Sequence, residues 1–382
     1  MLLSGTVPAG MDADVVVIGG GPVGASLGML LGRHGLRALV LDRGRFPRDK
    51  PCGEGLMPSG AAILSELDVD LAADGFPAVR GVRYRMAGGG EVFAAFPRPG
   101  FGVRRLRLDA LLAERAGVVS GVAATALHPS PSGVEVETSS GTLRARAVVG
   151  ADGLRSRVSA WMGWKRPPRP PLRHALVGHW EVDRHGLEEI TVTLLGDAEV
   201  YVAPSGPSEL LAAVLGPRGT LRLEGSSVTD SYRETVTRAH PELRTCDLCG
   251  GVWGAGPFRT APATVAGGRV FLAGDAAGFL DPLTGEAMAA GLAQARALAG
   301  FLADDVDTAA ARYRRWHRTQ WRRRRVVSRL ALALTGSDRL ARRAFAGVAR
   351  RPGALERLLQ VNDGSRGLLA IRPQDWTALV GF

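Results

Sequence analysis

The clearest signal in the chain is a change of hydrophobic period near residue 20. Val15-Val16-Val17-Ile18 is continuously apolar and β-branched, which predicts a short strand buried on both faces of a parallel sheet. Gly19-Gly20-Gly21-Pro22 breaks that run, and a helical period follows to about Arg33, with Pro22 suited to the first turn. Residues 38–41 read as a second strand ending at Asp42. Farther on, residues 61–67 predict a short helix, and 80–86 with 91–96 predict a hairpin turned at Gly88-Gly89-Gly90. Leu111, Leu112 and Ala116 share the apolar face of a helix entered near Asp109. Strands follow at 118–124, 134–138 and 143–149.

The stiff segment Lys165-Arg166-Pro167-Pro168-Arg169-Pro170-Pro171 marks a boundary, and the pattern then changes. Short strands at 174–182, 190–195, 199–203 and 210–215 predict an antiparallel sheet in a separate layer, followed by a helix over 230–239. A buried strand returns at 270–273, then a long apolar helix over 285–302 and an arginine-rich helical remainder. No internal repeat is found.

Gly19, Gly21 and Gly24 stand at the spacing G-x-G-x-x-G between that first strand and helix. The first permits the tight turn, the second lets backbone approach a pyrophosphate, and the third lets helix pack on strand. Free N–H groups at the helix start add a positive dipole end. Asp42, eighteen positions after Gly24, is placed to accept ribose hydroxyls and to repel a 2′-phosphate. The unit therefore predicts a dinucleotide site for FAD or NAD, not NADP.

The loop over residues 43–58, from Arg43 through Pro51-Cys52-Gly53-Glu54-Gly55, has no periodicity. Long structureless loops in compact domains are usually functional. Two further strand–glycine–acid–helix junctions occur, at Gly150-Ala151-Asp152-Gly153 and at Gly274-Asp275-Ala276-Ala277-Gly278.

At 382 residues, with 46% hydrophobic and 22% charged positions, the chain is ordinary for a soluble globular protein of two domains or one large one. No run of eighteen apolar residues predicts a membrane span, and Met1–Gly10 lacks the features of a secretory signal. Three cysteines make no disulfide framework, in keeping with a reducing cytoplasm. The net charge of +11 is almost wholly arginine; because arginines run along the chain, the excess is read as compositional.

The three junctions together resemble the flavoprotein monooxygenase superfamily with the para-hydroxybenzoate hydroxylase fold, which also contains geranylgeranyl reductases and flavin-dependent halogenases. The resemblance covers roughly residues 12–304. It implies an α/β fold: an FAD-binding Rossmann-like parallel sheet, an inserted antiparallel-sheet substrate domain and a C-terminal helical segment. The expected division is 12–80, 98–165 and 260–320 for the FAD-binding domain, 81–97 and 166–259 for the substrate domain, and 321–382 for the helical segment. The resemblance further implies that Gly19, Gly21, Pro22 and Gly24 hold the FAD pyrophosphate, with Asp42 and Arg43 toward the ribose. By the same resemblance, Arg105 is expected to contact the cofactor, Asp152 and Gly153 match a motif associated with FAD and pyridine nucleotide, and Gly274 and Asp275 match the motif whose aspartate holds the ribityl chain. The same resemblance places Pro282-Leu283-Thr284-Gly285 beside the isoalloxazine, with Ala287 and Met288 as further cofactor-binding candidates, and there the helix N-terminus would stabilise a reduced flavin anion by about 1–2 kcal/mol.

Glu286 and Met288 replace the superfamily's usual Gln and Asn, and Lys50-Pro51-Cys52-Gly53-Glu54 is similar to the geranylgeranyl reductase branch. Tyr201-Val202-Ala203-Pro204 looks like the substrate roof of the hydroxylases. The implied activity is FAD-dependent monooxygenation through C4a-hydroperoxyflavin, with NAD(P)H as transient co-substrate, on an aromatic or specialised-metabolite substrate of secondary metabolism. The alternatives are a geranylgeranyl reductase-like oxidoreductase acting on C=C bonds and, third, a halogenase, which lacks its W-x-W-x-I-P signature here. No side chain announces itself as acid or base; Cys52, Pro282 and Gly285 are the flavin-proximal candidates.

Cys246-Asp247-Leu248-Cys249 lacks the second pair a zinc ribbon needs, so no metal is expected. His174 and His179 are expected on a solvent-facing side of their strand. Trp316 and Trp321, interleaved with arginines, are expected to pack an amphipathic helix on the FAD domain. A small-molecule substrate, free or tethered to a carrier protein, is expected. Nucleic acid is not, and peripheral membrane contact stays open.

Overall fold

The computed structural model describes residues 10–183, 186–221 and 227–381. Of the Met1–Gly10 segment, only Gly10 lies within them. Ten helices are described: α1 (Pro22–Arg33), α2 (Pro58–Glu66), α3 (Arg105–Arg115), α4 (Arg157–Trp161), α5 (Val228–Ala239), α6 (Ala287–Asp304), α7 (Val306–Thr335), α8 (Asp338–Arg350), α9 (Pro352–Asp363) and α10 (Pro373–Val380).

Two sheets organise the chain. In the first, Ala13–Ile18 lies parallel to Ala38–Asp42 on one side and Gly141–Gly150 on the other, so Val17 faces both Val40 and Val149. All six residues of the central strand are buried, which is why it shows no alternation of apolar and polar positions. Val270–Leu272 extends the sheet in parallel beyond Gly141–Gly150. The strand expected over 118–124 divides into Val119–Ser120 and Ala124–Pro129, because Gly121 turns the chain at φ +79°.

The second sheet takes the order Asp247–Leu248, Arg173–Glu181, Glu209–Pro217, Glu199–Gly206, Ile190–Leu194, Ala78–Met86, Glu91–Gly102, Gly55–Leu56. It is not antiparallel throughout: Ile190–Leu194 pairs with Ala78–Met86 in parallel. The hairpin over 78–102 and two residues of the loop after Asp42 thus join this layer.

Both faces of this sheet are covered. Trp180, Val200 and Val214 pack against Tyr232 and Val236 of α5, while Val192, Tyr201 and Leu211 face Val327, Leu355 and Leu358 of the C-terminal helices. His179 is therefore buried rather than solvent-facing, and His174 is half-buried. The helix α7 runs unbroken for 30 residues through the expected boundary at 320–321. Its aromatics turn inward: Trp316 stacks on Tyr313, and Trp321 on His317 and over Gly278. Tyr313, fully buried, donates to the Leu272 carbonyl at 2.9 Å and ties α7 to the first sheet.

Candidate functional site

The first turn is shaped by contacts that only glycine allows. Gly19 sits at φ +111°, and a Cβ there would meet the Ala151 carbonyl oxygen at 2.4 Å. A Cβ on Gly24 would meet the Gly19 carbonyl at 1.8 Å, so α1 starts directly against the strand end. At Gly21 the surroundings open, with nothing nearer than the Arg105 guanidinium at 3.9 Å. Gly21 is the N-cap residue of α1 and Pro22 its first helical residue; the helix starts with no side-chain cap. Asp42 is buried and accepts the N–H of Gly20 and of Gly44, each at 2.8 Å, and pairs with Arg48 at 2.9 Å. Arg43 beside it is exposed.

The other two junctions meet this turn around Lys50. Burial, then the neighbouring Arg105 and Arg48, push the Lys50 ammonium pKa down, and Asp275 acts in the opposite sense. The Lys50 Nζ stands 3.0 Å from the position of a Cβ on Gly153. Arg105 is buried and bidentate to Asp109 at 2.7 and 2.8 Å. Asp152 caps α4 through the N–H groups of Arg157 and Val158, and its Oδ1 is buried without a partner. The Gly274 N–H donates to Gln294 Oε1 at 2.8 Å, setting the turn at φ +63° that carries Asp275. These features fit FAD. An open glycine at an uncapped helix start, the Lys50 ammonium and Arg105 guanidinium beside it, and the orphaned Asp152 carboxylate oxygen are what a diphosphate and its sugars would satisfy.

Beyond Asp275, Pro282–Thr284 form a single 3-10 turn and Gly285 follows at φ +65°, turning the chain into α6, whose first residues are Ala287 and Met288. Two buried ion pairs hold this turn from outside. Asp281 accepts the Leu283 N–H at 3.0 Å and pairs at 3.0 Å with Arg173, which also binds Glu199 across the second sheet. Burial pushes the Asp281 carboxyl up to about 6 despite Arg173. Glu286 accepts from Thr284 Oγ1 and from Arg324 of α7 at 3.0 Å, both charged groups being almost fully buried. The Asn362 amide of α9 donates to the Thr284 carbonyl at 2.7 Å.

Cys52 lies in the loop opposite. Its sulfur accepts the Glu54 N–H at 3.4 Å, and burial pushes the thiol pKa up, so it is held neutral. Glu54 is 1% exposed and adopts φ +55°, a conformation non-glycine residues rarely take. Its carboxylate accepts the Arg105 N–H at 2.8 Å and the Ser205 hydroxyl at 2.8 Å, and meets His179 Nε2 at 3.0 Å. Arg104 joins the cluster through Asp49 and Glu209, each at 2.9 Å. Tyr201 covers the loop: a Cβ on Gly55 would lie 2.2 Å from its hydroxyl.

Between the Pro282–Thr284 turn, the second sheet and the helices α7 to α9 lies an apolar cavity of about 90 Å³. Tyr84, Leu194, Leu283, Leu330, Phe345 and Leu358 are among its walls. Burial holds the Tyr84 phenol up at about 12, so the wall is neutral. A second groove, of about 320 Å³, opens beside Asp275 and is lined by Arg155, Lys165, Arg166 and Thr260.

The expected residues of all three junctions are thus brought around Lys50, while Arg43 points away. Sequence reasoning missed Arg48, Lys50 and Glu54, although all three lie in the loop whose length marked it as functional.

Residues 12–75 match the family model described as an FAD binding domain. The menaquinone reductase of Mycobacterium tuberculosis is 33% identical over 364 residues, spanning 85% of this chain and 84% of that protein. The rifampicin monooxygenase of Streptomyces venezuelae is 27% identical over 77% of this chain and 64% of its own. A solved flavoprotein/dehydrogenase from Cytophaga hutchinsonii superposes with a TM-score of 0.84 over 96% of both chains at 18% identity.

Proposed function

This chain belongs to the FAD-dependent monooxygenase superfamily and is an FAD-dependent oxidoreductase, and from that premise we propose that it reduces a carbon–carbon double bond in a long apolar chain of isoprenoid type. The observation that carries this reading is the cavity reaching the Leu283–Thr284 turn, walled by aliphatic and aromatic side chains. Judged against the ~150 Å³ that hold six-carbon benzene, it has room for roughly three to four carbons of such a chain. The similarity to menaquinone reductase and to the geranylgeranyl reductase branch through Cys52-Gly53-Glu54 supports the same substrate class.

Bound FAD supplies the two-electron chemistry. The chain's own residues do the rest. Gly21, Lys50 and Arg105 would hold the diphosphate, and the start of α6 would present its positive end to the flavin ring. The Glu286–Arg324 pair keeps a net neutral charge under that turn. Apolar walls exclude water from the reacting carbon, and Cys52 presents a protonated thiol rather than an anion. NAD(P)H is the proposed reductant, visiting the groove beside Asp275, where Arg155, Lys165 and Arg166 suit its phosphates.

A second reading, monooxygenation of an apolar or aromatic substrate, is favoured by the Tyr201–Pro204 roof and the likeness to rifampicin monooxygenase. The test is anaerobic. Reduced holoenzyme mixed with a polyprenyl alkene should be reoxidised without O2; reoxidation that requires O2 and consumes it in step with product would replace the first reading by the second.

A further inference from the structure

The chain's positive charge is not spread evenly. Residues 306–382 hold 17 of the 48 basic and 5 of the 37 acidic residues, a net +12, whereas residues 1–305 hold 31 basic and 32 acidic, a net −1. The reading of the excess as compositional fails on this count, because composition alone would charge both parts alike. The structure places this segment as the four helices α7 to α10, packed against the second sheet by their apolar faces.

On α7, Arg322, Arg325, Val326 and Arg329 are exposed at positions i, i+3, i+4 and i+7, which makes one stripe along the helix. None of the three arginines has an ion-pair partner among the described residues. Arg323 reaches the Gly364 carbonyl at 3.5 Å, so the segment joining α9 to α10 borders that stripe. This segment carries exposed Arg366 and Arg372 and, between them, Leu369 at 100% exposure. Val326 and Leu340, at 39% each, add apolar surface to the same helices.

We propose that this face docks on a lipid bilayer carrying anionic headgroups. Unpaired guanidinium groups meet the phosphates, and Leu369 enters the acyl boundary. Basic residues around an outward leucine are the composition of an interfacial surface. Single-stranded nucleic acid would call for exposed aromatic platforms, whereas Trp316 and Trp321 are spent on internal stacking. The neighbouring face of α7, through Val327, Leu330 and Leu334, lines the apolar cavity, so the docking stripe and the cavity share one helix. Docking of this face requires no particular reaction at the flavin.

The experiment uses the full-length, FAD-loaded protein and sedimentation with vesicles. Mixed phosphatidylglycerol–phosphatidylcholine vesicles should bind it, pure phosphatidylcholine vesicles should not, and about 0.5 M salt should release it. The combined Arg322→Ala, Arg325→Ala and Arg329→Ala variant should weaken binding roughly 100-fold, at about fivefold for each charge removed. Leu369→Ser should weaken it several-fold, with flavin absorbance and melting temperature unchanged in both variants. No binding to anionic vesicles, or an unaltered affinity in the triple-arginine variant, overturns the proposal. An unaltered affinity in Leu369→Ser, with duplex DNA or a polyacidic protein competing fully, also overturns it and reassigns the face to such a polyanion.

Discussion

Glu54 Oε2 and His179 Nε2 stand 3.0 Å apart, and the same imidazole nitrogen lies 2.9 Å from Arg104 Nη1. One nitrogen cannot donate to a carboxylate and accept from a guanidinium at once. The two contacts therefore describe alternative positions of one proton inside a buried cluster, at the seam between the cofactor loop and the second sheet.

The Glu54 backbone lets strain be separated from charge. Glu54→Ala should destabilise the fold by about 3–5 kcal/mol, since buried donors lose their acceptor and Arg104 loses a carboxylate. Glu54→Gly removes the same carboxylate but suits φ +55°, so it should remain about 1 kcal/mol more stable than the alanine variant. Urea midpoints measure both; identical midpoints would contradict the strain argument.

Asp275→Ala and Asp42→Ala should both lower FAD occupancy, by different routes. Asp42→Ala also frees the Gly20 and Gly44 N–H groups and Arg48, so it should lower stability of the apoprotein too. Among the described residues the Asp275 side chain accepts no hydrogen bond and acts only through its charge on Lys50, so its loss should show mainly in flavin retention on a desalting column. Full occupancy in Asp275→Ala would remove that residue from the cofactor site.

Asp281 gives a pH signature. Its carboxyl is raised from 3.8 to about 6 by burial, so the folded state binds the proton more tightly than the unfolded chain does. The stability it contributes is full below pH 3.8 and is lost as pH rises through about 6. Subtracting the Asp281→Asn stability profile from the parent should isolate a fall over that window. A flat difference would contradict the assignment.

The Glu286–Arg324 pair should be severe to break on one side and mild to remove on both. Arg324→Ala leaves a buried carboxylate unpaired and should cost about 3–5 kcal/mol, whereas Arg324→Met with Glu286→Gln should cost far less. Thermal melts of the apoprotein check this independently of flavin. Equal losses in both variants would show that the pair acts through packing alone.

Most of the first sheet was legible because Ala13–Ile18 and Gly274–Asp275 belong to strand–turn–helix units whose glycines have a steric meaning at each position. The burial of His179 was not, because a strand covered on both faces by α5 and by α7 to α9 cannot be told from a half-exposed one by local pattern. Glu54 and Lys50 were hidden for a related reason. Their roles depend on partners such as Ser205, 151 residues away in sequence, and on Arg105 and Asp275, which only the folded chain brings near. Arg324 is one of four consecutive arginines in the arginine-rich remainder, yet the helical period turns it alone of Arg322–Arg325 fully inward.

The mass of the product is the most direct test of the central claim. Holoenzyme supplied with reductant in air and a polyprenyl substrate should yield a product heavier by two hydrogens. A product heavier by one oxygen would contradict the account and make the chain an oxygenase.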